Sequence, residues 1–399
     1  MSRFNKASEW STKSWAVISS RKFIVFLYLI AGVVAPMLKF KDEKWNNIKI
    51  FFHSTHHLFA EKDLYAAYPQ EYGDYYLYGP IFSVFAIPFA YLPSWLGVAL
   101  FVTVTTLVFL WGVYSLNFTD REKAIFCLIC FFDFLTNQQN FQTNSLIAGC
   151  ILLSLGLIQR SRIAASTFCI AFGLFVKIYG GVALVLFLFT RHKVKFILYG
   201  LGWCVFLFFL PAVFSSLEFA ISSYPSWFDR LAAKNASVLN TGVDQFGFQS
   251  LFDFSRRALQ VELPQRAVLA GAAVLTLITL SRWKTWNLNS GMAELAIASA
   301  MVGIVIFSTG SESPTFIILQ SGVALWFLYK RKTNRKAAWI GLTVMLIFSS
   351  LSPTDLFYGK IGETYSKLGM RALPCTLFWI TILVEMWLLG RKDREEVQI

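Results

Sequence analysis

Apolar runs long enough, or nearly so, to cross a hydrocarbon layer of about 30 Å recur about twelve times along this chain. They fall at about 22–39, 95–115, 122–136, 144–158, 163–176, 178–190, 196–214, 265–281, 291–309, 314–329, 337–352 and 368–389. With 56% of its residues hydrophobic, the chain is too apolar for a soluble domain of this length. Backbone in lipid must satisfy its own hydrogen bonds, so the expected fold is an all-α polytopic membrane protein with about twelve transmembrane helices. Segment 80–93, broken by Pro80, Pro88 and Pro93, is too short for a crossing and reads as a partial or re-entrant helix. Such an element is tolerated only against protein or a water-filled cavity.

The whole of 1–399 is expected to form one integral membrane domain, with a first outer loop at 40–79 and a long outer loop at 215–263. Short basic loops at Arg160/Arg162, Arg191/Lys193/Lys195, Arg282/Lys284, Lys330 to Lys336 and Arg391/Lys392/Arg394 belong in the cytoplasm. Both termini then lie inside, in what is expected to be a bacterial inner membrane. The run after Arg21 and Lys22 is long and lacks a clear small-x-small exit, which favours an uncleaved first helix over a signal peptide. The net charge of +13 follows from that topology and from anionic headgroups, and implies no nucleic-acid partner. No P-loop or Gly-x-Gly-x-x-Gly stands in a strand-helix context, so a donor activated outside the cytoplasm fits better than a nucleotide sugar. The six cysteines all sit in apolar segments and are expected to pack, including the Cys127-x-x-Cys130 pair.

The unusual polar residues gather on the outer side. From Asn47 to Ala60 the apolar residues Ile48, Phe51, Phe52, Thr55, Leu58 and Phe59 recur at helical steps, a stripe suited to lying in the membrane plane. His53, His56 and His57 fall largely on the other face. His53 and His57 are four apart and could share a metal ion, but a solvated or phosphate-facing surface needs less, and no metal ligand is assigned. Asp63 and Asp74 follow in a tyrosine-rich stretch that suits an interfacial belt or stacking on sugars. An acid near apolar surface can be tuned to take a proton from an acceptor hydroxyl; as turn or cap carboxylates both would look the same.

Four pieces in order resemble a known family, the GT-C class membrane glycosyltransferases, specifically the family 87 group of polyprenol-phosphate-mannose-dependent mannosyltransferases. They are Lys62-Asp63-Leu64-Tyr65 with Tyr78-Gly79-Pro80, Gln142-x-Asn144, Lys177, and Phe248-Gln249-Ser250. The resemblance runs from about residue 22 to 330. It implies transfer of a mannose-like hexose from a polyprenyl-phosphate carrier to a lipid or glycan acceptor on the outer face, with inversion, one carboxylate of the first outer loop serving as base. The sequence departs from that pattern where the family commonly has an acid opening the amphipathic stretch, since Asn47-Ile48 stands there and an amide is no base.

Asp74 is therefore the expected base, with Asp63 as runner-up. Lys177, Arg256 and Arg257, helped by His53 or His57, are the expected phosphate ligands, although the two arginines would equally hold the loop at the headgroups. Tyr78, Gln142, Asn144 and Gln249 would meet the sugar, and Glu312 is an acid at the mouth of a helix pair that could instead cap a helix. No cofactor motif is present; Asp42 and Glu43 form an acid pair of the kind that holds Mg2+ or Mn2+, with nothing to fix their geometry. A lipid-linked oligosaccharide transporter or flippase is the main rival, but it calls for inverted repeats and midplane charges. An O-antigen-ligase-like enzyme would differ in using a diphosphate-linked donor.

Overall fold

The computed structural model describes residues 17–240, 247–281, 291–352, 354, 357 and 359–397. Among these every regular element is a helix, and there is a single isolated antiparallel bridge between Phe248 and Glu312. Four helices are long and apolar enough to cross a membrane: Arg21–Lys41, Ser94–Ser115, Lys193–Val213 and Ala372–Leu389. Pro80–Ala90, Asn144–Gln159, Ile163–Val176, Gln265–Leu280 and Met292–Ile306 are apolar but shorter. Arg282 and Lys284 of the basic-loop pattern lie outside the described residues.

The centre is built on close backbone approach. Asn144–Gln159 is buried on nearly every side, as expected of a helix that is apolar all round. It lies against Ser94–Ser115 so tightly that a Cβ on Gly149 would stand 2.7 Å from the Val108 carbonyl oxygen. Small residues permit such contact, and within lipid that packing holds helices together. The six cysteines are free, and all but half-buried Cys204 are buried.

Three elements depart from the sequence expectation. The run 178–190 is not an α-helix but a 3-10 segment, Ile178–Leu188. Lys177 ends the preceding helix in an extended conformation (φ −152°, ψ 127°), and a Cβ on Gly180 would stand 2.2 Å from the Gly173 carbonyl carbon, so the chain folds back at once. The run 337–352 is a short helix, Arg335–Met345, that loosens into a π turn at Leu346–Ser350. The third is Asn46–Phe59, whose apolar stripe faces protein instead of the membrane plane. Phe51 packs edge-on against Phe82 at 4.9 Å and Tyr78 at 5.0 Å, and the Thr55 hydroxyl donates to the Ser83 carbonyl at 3.0 Å.

The proline-flanked element is a helix, Pro80–Ala90, with Pro80 in its first turn, where a missing N–H costs nothing. Gly79 before it donates to the Val176 carbonyl at 3.2 Å, and a Cβ there would lie 1.9 Å from the Phe175 carbonyl oxygen. Gly79→Ala is therefore expected to cost about 1–3 kcal/mol through overpacking. Thermal unfolding in detergent checks this against Gly200→Ala, where nothing lies within 4 Å and no such loss is expected.

A buried ion pair closes the far side. Asp133, within Asp120–Gln139, meets Arg371 at 3.2 Å. Arg371 also donates to the Ser313 hydroxyl at 3.1 Å and lies 3.6 Å over the Phe316 ring. This ties Ala372–Val397 to the turn that carries Glu312.

Candidate active site

Beside these turns lies a cavity of about 640 Å3, within the size range of small-molecule sites. Asn47, Ile50 and Phe51 form one wall, Asp74, Tyr75, Leu77 and Tyr78 the rim, and Gln142 and Lys177 to Tyr179 the back. Trp227, Leu231, Lys234, Asn235 and Val238 of Leu217–Asn240 form a further wall, and Ser308, Thr309, Gly310 and Glu312 with Phe248 complete it.

Several of the polar wall residues are held from behind. Gly73 donates to the Asn46 side chain at 2.9 Å, and the Asp74 carboxylate accepts the Tyr75 N–H at 2.8 Å. Tyr78 donates to Gln142 at 3.0 Å. Trp227 donates to the Leu77 carbonyl at 3.0 Å, which joins the tyrosine turn to Leu217–Asn240. Thr309 donates to Asn235, which also pairs with Gln265, so the 308–312 turn is fixed to two helices.

Two acids and two ammonium groups meet here. Lys177 donates to Asn144 at 2.7 Å and lies 4.8 Å over the Tyr179 ring and 5.8 Å over Tyr78. Its ammonium has three donors, so one protein hydrogen bond leaves capacity for an anion. Burial lowers its pKa to about 8, against the opposing pull of Glu312. Burial pushes the Glu312 carboxyl up; Lys177 and Lys234 pull it down, and Asp74 adds to the rise. Asp74, Glu312, Lys177 and Lys234 therefore act within one electrostatic neighbourhood.

Of the residues nominated from sequence, Asp74, Tyr78, Gln142, Lys177 and Glu312 line the cavity together. Asn144 stands behind Lys177, its amide also donating to the Pro314 carbonyl at 3.1 Å. Asp63 is exposed, off the cavity wall, and caps its own turn by accepting the Tyr65 N–H at 2.9 Å. Gln249 is buried between segments, its backbone N–H on Ser311 and its side chain on the Ser366 carbonyl. Arg256 and Arg257 turn back onto Asp253 at 3.1 and 3.6 Å, and onto the Val238 and Phe248 carbonyls. They brace the wall from outside it. His53 and His57 also lie off the wall, against Glu71.

Sequence reasoning missed Lys234, Asn235 and Tyr179. The signal was present, because 227, 231, 234, 235 and 238 recur at three- and four-residue steps and share one helix face. It also missed an apolar groove of about 460 Å3 between Ile178–Leu188, Gln265–Leu280, Met292–Ile306 and Ala372–Val397. Leu269, Ile304 and Phe307 line both the groove and the cavity, so a chamber holding charged side chains adjoins an oily one.

Comparison with curated proteins finds no match to this chain. The family model for glycosyltransferase family 87, by contrast, matches residues 76–311. That stretch holds Tyr78, Gln142, Lys177 and Lys234 of the cavity and stops one residue before Glu312, while Asp74 lies two residues ahead of it. The match spans more than half of the sequence, and with the apolar helices around the cavity it identifies a membrane glycosyltransferase: the chain belongs to glycosyltransferase family 87.

Proposed function

We propose that the cavity transfers a hexose, mannose-like, from a polyprenyl-phosphate carrier to a lipid or glycan acceptor on the outer face of a bacterial inner membrane. The GT-C arrangement with about twelve crossings, basic loops inside and the cavity outside, belongs to the same reading. The observation that carries it is that the charged cavity and the apolar groove adjoin, with Leu269, Ile304 and Phe307 in the lining of both. A substrate with a phosphorylated head and an isoprenoid tail needs both chambers side by side.

In the reaction the acceptor hydroxyl oxygen forms a bond to the anomeric carbon, and the bond from that carbon to the phosphate oxygen breaks. The electron pair leaves on the phosphate and the hydroxyl proton passes to Asp74. Attack opposite the leaving group inverts the anomeric centre. Polyprenyl phosphate gains negative charge as it departs, where Lys177 and Lys234 stabilise it. Gln142 and Tyr78 offer hydrogen bonds to sugar hydroxyls. Asn144 positions Lys177; Arg256, Arg257 and Gln249 hold the wall.

Purified protein incubated with radiolabelled polyprenyl-phosphate hexoses and membrane lipid extract tests this. Wild type is expected to move label to an acceptor, and Lys177→Ala to do so about 10^2- to 10^3-fold more slowly. A lysine whose pKa is lowered to about 8 is charged below that pH and neutral above it, so the rate should fall as pH rises through about 8. Lys177→Arg should keep the rate up to higher pH. Glu312→Gln removes the carboxylate that favours the ammonium and should bring the alkaline fall to lower pH. Consumption of no isoprenoid-linked donor, together with lipid scrambling in vesicles, would hand the cavity to the transporter reading.

A further inference from the structure

His53 and His57, one helical turn apart on Asn46–Phe59, meet Glu71 from the tyrosine-rich turn. His53 Nδ1 lies 3.1 Å and His57 Nε2 2.8 Å from the same carboxylate oxygen, and one ligand atom from each residue lies within 4.8 Å of the others. His57 is only 2% exposed, beneath the Tyr68 ring at 4.0 Å. Among the described residues its Nδ1 has no hydrogen-bond partner, and its Nε2 meets only the Glu71 carboxylate. Buried polar atoms in such positions ordinarily find one. Three ligand atoms this close together can converge on one ion once the direct contacts open by a few tenths of an ångström.

We propose that His53, His57 and Glu71 form a binding site for a divalent transition metal of the zinc class. Two imidazoles and one carboxylate suit Zn2+, bound at about 2.0–2.2 Å, in preference to Mg2+ or Ca2+, which favour oxygen ligands. Three protein ligands leave a fourth position for water or a further donor. The site lies off the cavity wall, and the ion is not assigned to the reaction. Its mechanical consequence is direct: it joins the first outer helix to the turn that presents Asp74 three residues after Glu71, so loading the ion fixes the rim of the cavity.

The inference is independent of which sugar or carrier the enzyme uses, and its test needs neither. Full-length protein in detergent, stripped with chelator, is titrated with Zn2+ at neutral pH by calorimetry, and its thermal unfolding is followed with and without the ion. One Zn2+ per chain is expected, with a rise in Tm. His53→Ala, at the half-exposed ligand and so least harmful to folding, and Glu71→Gln should each weaken binding at least about 100-fold and abolish the rise in Tm. His56→Ala, at an exposed neighbour, should bind as wild type does. No binding by wild type, equal binding by His53→Ala and Glu71→Gln, or loss confined to His56→Ala would overturn the assignment.

Discussion

Asp74→Asn is expected to lower kcat for sugar transfer by about 10^2- to 10^4-fold, the range a positioned general base supplies, while leaving donor affinity within a few-fold of wild type. The substitution keeps the side-chain volume and an oxygen able to accept the Tyr75 N–H, so the rim should stay folded. It removes only the capacity to take a proton, because an amide is not a base. A loss in kcat without a loss in binding marks an interaction made in the transition state alone. Asp63→Asn is the matched control. Asp63 is exposed and caps its own turn, and an asparagine there should retain nearly full activity. If Asp74→Asn works at the wild-type rate, the proton must go elsewhere, and Glu312, with its raised pKa, is the carboxylate placed to receive it.

The second large effect concerns stability. Arg371→Ala is expected to cost about 3–5 kcal/mol by leaving a buried carboxylate without its counter-charge. Asp133 and Arg371 are each 2% exposed, so water cannot replace the missing partner. Arg371→Lys should recover only part of the loss. Arg371 serves Asp133, Ser313 and the Phe316 face at once, and an ammonium offers neither the fork nor the flat stacking surface. Replacing the pair together, Asp133→Leu with Arg371→Met, should restore stability toward wild type, since neither charge is then stranded. Thermal unfolding of the detergent-solubilised protein separates these cases. A single Arg371→Ala variant as stable as wild type would show that the carboxylate is satisfied some other way.

These two cases show what the sequence disclosed and what it withheld. The tyrosine turn ending in Tyr78-Gly79-Pro80 and the lysine closing Ile163–Val176 were legible, because a glycine-proline break and a lone cation at a helix end are local signals. Asp133 was hidden inside an apolar run, and its partner lies 238 residues away, a distance no periodicity spans. The amphipathic pattern of 47–60 gave a helix but not its partner; a stripe facing lipid and one facing Phe82 read alike. His57, placed on the polar face by its spacing, is buried because Tyr68 and Glu71 fold over it. Arg256 and Arg257 resembled phosphate ligands, but Asp253 three and four residues earlier was already the local answer to their charge. Lys234 carried no motif and became visible only when its helix face met the cavity.

The most direct test of a phosphorylated isoprenoid donor in this cavity is to map where one binds. A polyprenyl-phosphate hexose carrying a diazirine on its isoprenoid chain, photolysed with purified protein and located by mass spectrometry, should label the groove at Thr276, Ala296, Ala300 or Gly303. Unlabelled donor should protect those positions, and Lys177→Ala should weaken the labelling. Label spread over the outward faces of Lys193–Val213 with none in the groove, or groove labelling indifferent to competing donor, would contradict the account.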